Sequence, residues 1–133
     1  MPRFAVRALE DIPTVPDSHV GWHPLTHHLG LTAFGANVFV AADGGDELVA
    51  EHDESESGQE ELYLVLRGAV RFRLDGETHD VRAIGVAAVP DRSVRRSAVG
   101  LDEGATLLAL GAPPGQYRST WRAAWFEDVP RVE

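Results

Sequence analysis

Turn signals cut the middle of this chain into pieces too short for helices and the right length for strands. "ADGGDE" at 42–47, "ESGQ" at 56–59, "DGE" at 75–77, "PDRS" at 90–93, "LDEG" at 101–104 and "GAPPG" at 111–115 all concentrate turn-favouring residues. Between them lie eight runs rich in Val, Leu or Phe: Val38 to Ala41, Glu47 to His52, Glu61 to Leu66, Ala69 to Leu74, His79 to Ala83, Gly85 to Val89, Val94 to Val99 and Thr106 to Leu110. Eight short strands at regular spacing predict an all-β sandwich or barrel. In "VRFRLDGETHDVRA" the pattern alternates around Asp75–Gly76, and glycine's tolerance of positive φ predicts a tight hairpin there.

Helical signals are confined to the ends. "STWRAAWFEDV" opens with a Ser119 or Thr120 cap and sets Trp121, Ala124, Trp125 and Asp128 near one face, which predicts a short carboxy-terminal helix packed on the barrel. The stretch "PTVPDSHVGWHPLTHHLGLTAFG" has no clear period and reads as loop and edge strand. At 133 residues the chain fits one domain. Its expected parts are a barrel core over about 36–112, an amino-terminal arm over 1–35 and a helical tail over 113–133.

A net charge of −9, from 12 basic and 21 acidic residues, opposes binding to a phosphate backbone, so nucleic acid is not an expected partner. The chain has no cysteine, which excludes disulfides, thiolate metal sites and cysteine nucleophiles. The start, "MPRFAVRALEDIP", lacks the apolar core of a secretory signal, and no run approaches the roughly 18 apolar residues of a membrane span. A soluble, cytoplasmic protein without a membrane partner is the expectation.

The chemistry concentrates in "EHDESESGQEELYLVLRG", residues 51 to 68, where a histidine stands among carboxylates ahead of a strand closed by glycine. Along that strand Glu61, Tyr63 and Val65 share one face while Leu62, Leu64 and Leu66 share the other. Both faces are largely apolar, which predicts burial on both sides. The leucine face then needs a cover from the amino-terminal segment, the carboxy-terminal helix or a second subunit.

From about Glu47 to Leu110 the chain resembles the cupin superfamily, which implies a jelly-roll, or double-stranded β-helix, barrel. The first motif of that family runs as glycine, five residues, His-x-His, three or four residues, Glu, six residues, Gly. Here Glu61, six residues and Gly68 match its second half, and "DGETHDV" follows as the hairpin. His52 with Glu54 resembles the His-x-His pair with its second histidine replaced, although six residues then separate Glu54 from Glu61. Strict spacing selects Glu54 and Glu56 instead. The second motif is glycine, five residues, Pro-x-Gly, two residues, His, three residues, Asn. "GVAAVPDRSVRRSAVG" carries Gly85 and Pro90 with one residue fewer between them, which puts Arg92 in the place of the glycine and Arg95 in that of the metal-binding histidine. Arginine stays protonated and has no lone pair for a cation, so it is no substitute for imidazole as a ligand.

The resemblance implies a pocket lined by His52, Glu54, Glu61, Tyr63 and Arg95, and a homodimer. The leading expectation is a small-molecule-binding barrel with a metal-free pocket, no assured catalysis, and Arg95 paired with Glu61 or anchoring an anionic ligand. The alternative is an enzyme of dioxygenase, isomerase or epimerase type that holds iron, manganese, nickel or zinc on His52, Glu54 and Glu61. A third reading is a metal-free isomerase or cyclase with a Glu or His base. His27 and His28 are adjacent and point to opposite faces of a strand, and they, His19 and His79 are expected in solvent. His23 would approach the barrel mouth only if its segment folds over it. No phosphate loop, nucleophile elbow or His-Glu-x-x-His helix is present.

Overall fold

The structure is a computed structural model that describes residues 2–133. Its strands are β1 (Gly21–His23), β2 (Gly35–Val40), β3 (Glu47–His52), β4 (Glu60–Arg67), β5 (Ala69–Leu74), β6 (Glu77–Arg82), β7 (Gly85–Val89), β8 (Arg96–Gly100) and β9 (Thr106–Ala112). All eight expected runs are strands, and β1 adds a short edge strand within the amino-terminal stretch. Two antiparallel sheets face each other, one in the order β1-β2-β9-β4-β7 and one in the order β3-β8-β5-β6. This is the two-sheet barrel that short alternating strands build when each has one apolar face. Among the described residues no helix is long and apolar enough to cross a membrane.

Local chemistry accounts for the turns. Asp75 and Gly76 have φ of 49° and 85°, the doubly left-handed pair of a tight hairpin, and they join Leu74 to Glu77 in register. Gly68 turns β4 into β5 at φ 69°, and a Cβ there would lie 3.2 Å from the Ala105 Cα.

The core lies between the sheets. Tyr63 and Val65 of β4 meet Val70 and Phe72 of β5, Ala98 of β8 and Leu107 of β9, all nearly or fully buried. The Tyr63 and Phe72 rings sit 5.6 Å apart in a tilted arrangement.

Three features differ from the sequence reading. A five-residue helix, α1 (Leu25–Leu29), interrupts the amino-terminal stretch and ends at Gly30 with φ 67°. The short carboxy-terminal helix is a single 3-10 turn over Ala123–Phe126 and is exposed rather than packed on the barrel. The Ser119 hydroxyl does accept from the Trp121 N–H at 3.2 Å, yet so short a segment without a packed face does not sustain an α-helix. Finally, β4 is buried on one side only: Leu62 and Leu66 remain exposed, because neither arm of the chain lies over them.

Leu107 is fully buried between the sheets. Leu107→Ala is expected to cost about 2–5 kcal/mol in urea unfolding, through lost transfer energy and the cavity left behind. His79→Ala, on the exposed strand β6, should change stability by less than about 0.5 kcal/mol in the same measurement.

Candidate metal and ligand pocket

Four elements bring a polar cluster to one end of the barrel interior: the end of β3, the loop after it, the start of β4 and the start of β8. The register of β3 against β8 slips twice: Glu47 pairs with Val99, Val49 with Ala98 and His52 with Arg96, so five steps along β3 match three along β8. The neighbours Leu48 and Val49 are both buried between the two slips. The slips cancel in parity, and His52, two alternations on from Leu48, falls on the inner side.

His52 is held by its own backbone neighbourhood. Its Nδ1 lies 2.8 Å from the Ala50 carbonyl oxygen, which only accepts, so Nδ1 carries the proton and donates it there. Nε2 then faces the carboxylates, 2.8 Å from Glu54 Oε1 and 3.8 Å from Glu61 Oε1. The Glu54 carboxylate also accepts from the Ser57 hydroxyl. Burial pulls the Glu54 carboxyl upward, but the Ser57 hydroxyl and the His52 imidazole beside it outweigh that and hold it below its ordinary value.

Glu61 is the most heavily committed acid. Its Oε1 accepts from Arg96 Nη1 at 2.8 Å and from the Tyr63 hydroxyl at 2.7 Å. Burial first, then the Glu61 charge and its hydrogen bond, push the Tyr63 phenol well above its ordinary range. Tyr63 is therefore a fixed hydrogen-bond donor to Glu61, not a source of protons.

The arginine of the pocket is Arg96, not Arg95. Arg96, Ala98 and Gly100 alternate inward and are buried, which leaves Arg95 on the outer side. The Arg95 side chain is 55% exposed and approaches Glu51 at 3.6 Å, whereas that of Arg96 is 1% exposed. The missing residue between Gly85 and Pro90 carried the signal: the second-motif spacing counted from Gly85 instead of Pro90 lands on Arg96. Arg96 is also spent within the protein, since Nε donates to the Val94 carbonyl and Nη2 to those of Asp91 and Val94. Neither arginine is the anchor for an anionic ligand that the sequence suggested.

Of the other sequence-selected residues, His52, Glu54, Glu61 and Tyr63 do converge. Glu56 is exposed, which removes the Glu54–Glu56 alternative. His19, His27, His28 and His79 are exposed, and His23 is turned to the Ile12 carbonyl at 2.8 Å. Two amides that the sequence reading passed over share the inner face of the five-stranded sheet. Asn37 accepts from Trp22 Nε1 at 2.8 Å, and the Gln59 side chain crosses Gly111, where an added Cβ would fall 2.5 Å from its Oε1. Period-two alternation from Phe39 and Glu61 would have found both. Beside Glu61 the facing positions on β9 and β2 are Gly111 and Gly35, and the absence of a Cβ on Gly111 is what admits the Gln59 side chain to that layer.

One ligand atom each from His52, Glu54 and Glu61 lies within 4.8 Å of the other two. An imidazole and two carboxylates suit a divalent ion such as manganese, iron, nickel or zinc. The Nδ1–H to backbone-carbonyl bond of His52 is the orienting contact that metal-ligating histidines use.

No family model matches the chain, and no curated protein matches it in sequence. Solved structures do. A cupin protein from Bacteroides fragilis superposes with a TM-score of 0.68 at 16% identity, over 99% of this chain and all of the other. A sugar phosphate isomerase of the cupin superfamily from Silicibacter pomeroyi gives 0.60 at 23% identity, over 71% of this chain and 59% of that one. The Streptomyces protein PAC13, with uridine, gives 0.62 at 15% identity, over 85% and 84%. On these superpositions the two-sheet barrel of this chain is a cupin fold.

Proposed function

We propose that this chain is a small-molecule-binding cupin whose pocket holds a divalent metal ion on His52, Glu54 and Glu61. The observation that carries this reading is the approach of three ligand atoms to within 4.8 Å of one another. A metal-free pocket was the stronger expectation from sequence because a guanidinium stood at the place of the fourth ligand. In the barrel that guanidinium is bound to Glu61 Oε1 and to two backbone carbonyls, so it acts on the ligand set through Glu61.

When bound, the ion supplies Lewis acidity to an oxygen of the ligand. The remaining roles belong to the chain. Tyr63 and Arg96 fix the Glu61 carboxylate, and Ser57 fixes that of Glu54. With His52 Nδ1 donating to the Ala50 carbonyl, Nε2 is the nitrogen whose lone pair is left for the ion. The Asn37 and Gln59 amides, the latter lying over Gly111, offer donors and acceptors to a polar organic molecule. The uridine held by PAC13 and the sugar phosphate named for the Silicibacter isomerase are polar organic molecules, which supports the ligand class.

Protein stripped of metal and titrated with manganese or zinc should take up close to one ion per chain. His52→Ala and Glu61→Gln should each weaken uptake by at least about tenfold, with circular dichroism unchanged for the half-exposed His52. Failure of all four candidate ions to bind would remove the metal from this reading.

The Glu61–Arg96 pair gives a second expectation. Arg96→Met leaves a buried carboxylate unpaired and should cost about 3–5 kcal/mol in urea unfolding. Adding Glu61→Gln to it should recover part of that loss, so the two changes are strongly non-additive. Arg95→Ala should stay within about 0.5 kcal/mol of the parent.

A further inference from the structure

Asn37 is the only asparagine in the chain, and it stands where the dry core gives way to the pocket. Cross-strand register puts it on the inner face of the five-stranded sheet, in one row with Ala109 and Tyr63. The row on its core side is Phe39, Leu107 and Val65, and the row on its pocket side is Gly35, Gly111 and Glu61. Between Asn37 and Glu61 the wall therefore carries only Ala109 and two glycines, with the Gln59 side chain laid over Gly111.

Chemistry fixes which way the Asn37 amide faces. The Trp22 indole has a donor and no acceptor, so its 2.8 Å contact is to Asn37 Oδ1 and the amide nitrogen points away. The indole is itself held, with its ring 5.9 Å from that of Phe39, which packs against the core. Among the described residues Asn37 Nδ2 meets no acceptor, yet no buried side-chain nitrogen or oxygen lacks a partner. Nδ2, on the inner face, is therefore open to a ligand. Among the described residues nothing pins the Gln59 amide in the same way, so it can present either end.

We propose that Asn37 selects the ligand: with its carbonyl spent on Trp22 it donates from Nδ2, and it takes a molecule whose far end is a carbonyl or carboxylate oxygen. Trp22 is a positioning residue that acts through Asn37. This selection rests on the metal reading, since the ion fixes one end of the ligand and Asn37 tests the other. Two strand spacings separate β2 from β4, so the ligand crosses about 10 Å of wall to meet Asn37 and the His52, Glu54 and Glu61 set together. A far end that is an ammonium brings donors to a donor and is rejected, because it gives up water and gains no bond. Neither pocket-side arginine competes for the far oxygen: Arg96 is spent on Glu61 and backbone carbonyls, and Arg95 lies on the outer side.

The test uses the full chain loaded with zinc and three hydroxamates of matched length, ending in a methyl ketone, an isopropyl group or an ammonium. By calorimetry the ketone should bind about three- to tenfold more tightly than the isopropyl probe, the worth of one hydrogen bond, and the ammonium most weakly. Asn37→Ala should bind ketone and isopropyl alike. Asn37→Asp keeps an acceptor for Trp22 and turns the free donor into an acceptor, so the ammonium should become the tightest of the three. Trp22→Phe keeps a ring on Phe39; it should leave the isopropyl probe unchanged and shrink the advantage of the ketone. The single asparagine side-chain amide pair in heteronuclear NMR spectra, assigned by its loss in Asn37→Ala, should move on adding the ketone and not the isopropyl probe. The same spectra are recorded on the metal-free chain at millimolar probe, and zinc uptake is measured separately. A ketone that binds no better than isopropyl, or an Asn37 pair that ignores the ketone with and without zinc, would overturn the proposal, as would an order unaltered in both Asn37 variants. Failure of zinc uptake with the Asn37 response retained would overturn the metal reading and leave the selection by Asn37 standing.

Discussion

A guanidinium buried to 1% exposure inside a small barrel is tolerable only if its charge is matched and its donors are used. Arg96 meets both conditions. Glu61 matches the charge and accepts from Nη1, and the carbonyls of Asp91 and Val94 accept from Nε and Nη2. This one ion pair ties the start of β4 in one sheet to the start of β8 in the other. It also folds the loop over 90–95 back onto its own arginine. The position of Glu61, and through Glu61 that of Tyr63, His52 and Glu54, follows from it. The interior of this protein is therefore organised around a polar contact at one end and a dry core at the other, where Val65, Val70 and Leu107 fill the space.

Most of the barrel was legible in the sequence because its strands are short, alternate cleanly and are punctuated by residues that do little else but turn. Asp75–Gly76 fixed the register of β5 against β6, and the glycine after β4 marked the next reversal. The pocket was harder to read, for two reasons of counting. On β8 a shift of one residue exchanges inside for outside, and a motif counted from Pro90 chose the solvent-facing Arg95 over the buried Arg96. On β3 the register slips twice, so alternation counted from the buried Val49 sends His52 outward while alternation counted from the buried Leu48 sends it inward. Carboxylates are also abundant around His52, and only the fold separates Glu54 from the exposed Glu51 and Glu56.

The two ends of the chain failed for a different reason. A helix of one or two turns depends on what it packs against, so the period of "STWRAAWFEDV" predicts a face without supplying the surface to receive it. The leucines of β4 pose the same problem from the other side. Their apolar character was plain in the sequence, but whether they are covered is a property of an assembly and not of a strand.

The place of the irregular register has a wider meaning. β3 is an edge strand of its sheet, paired with β8 alone, so its two slips disturb a ladder on one side only. The pairings of β4 with β9 and of β5 with β8 do not run through it. The imidazole is therefore carried by a strand whose length can vary with little disturbance to the framework that holds Glu61 and Arg96.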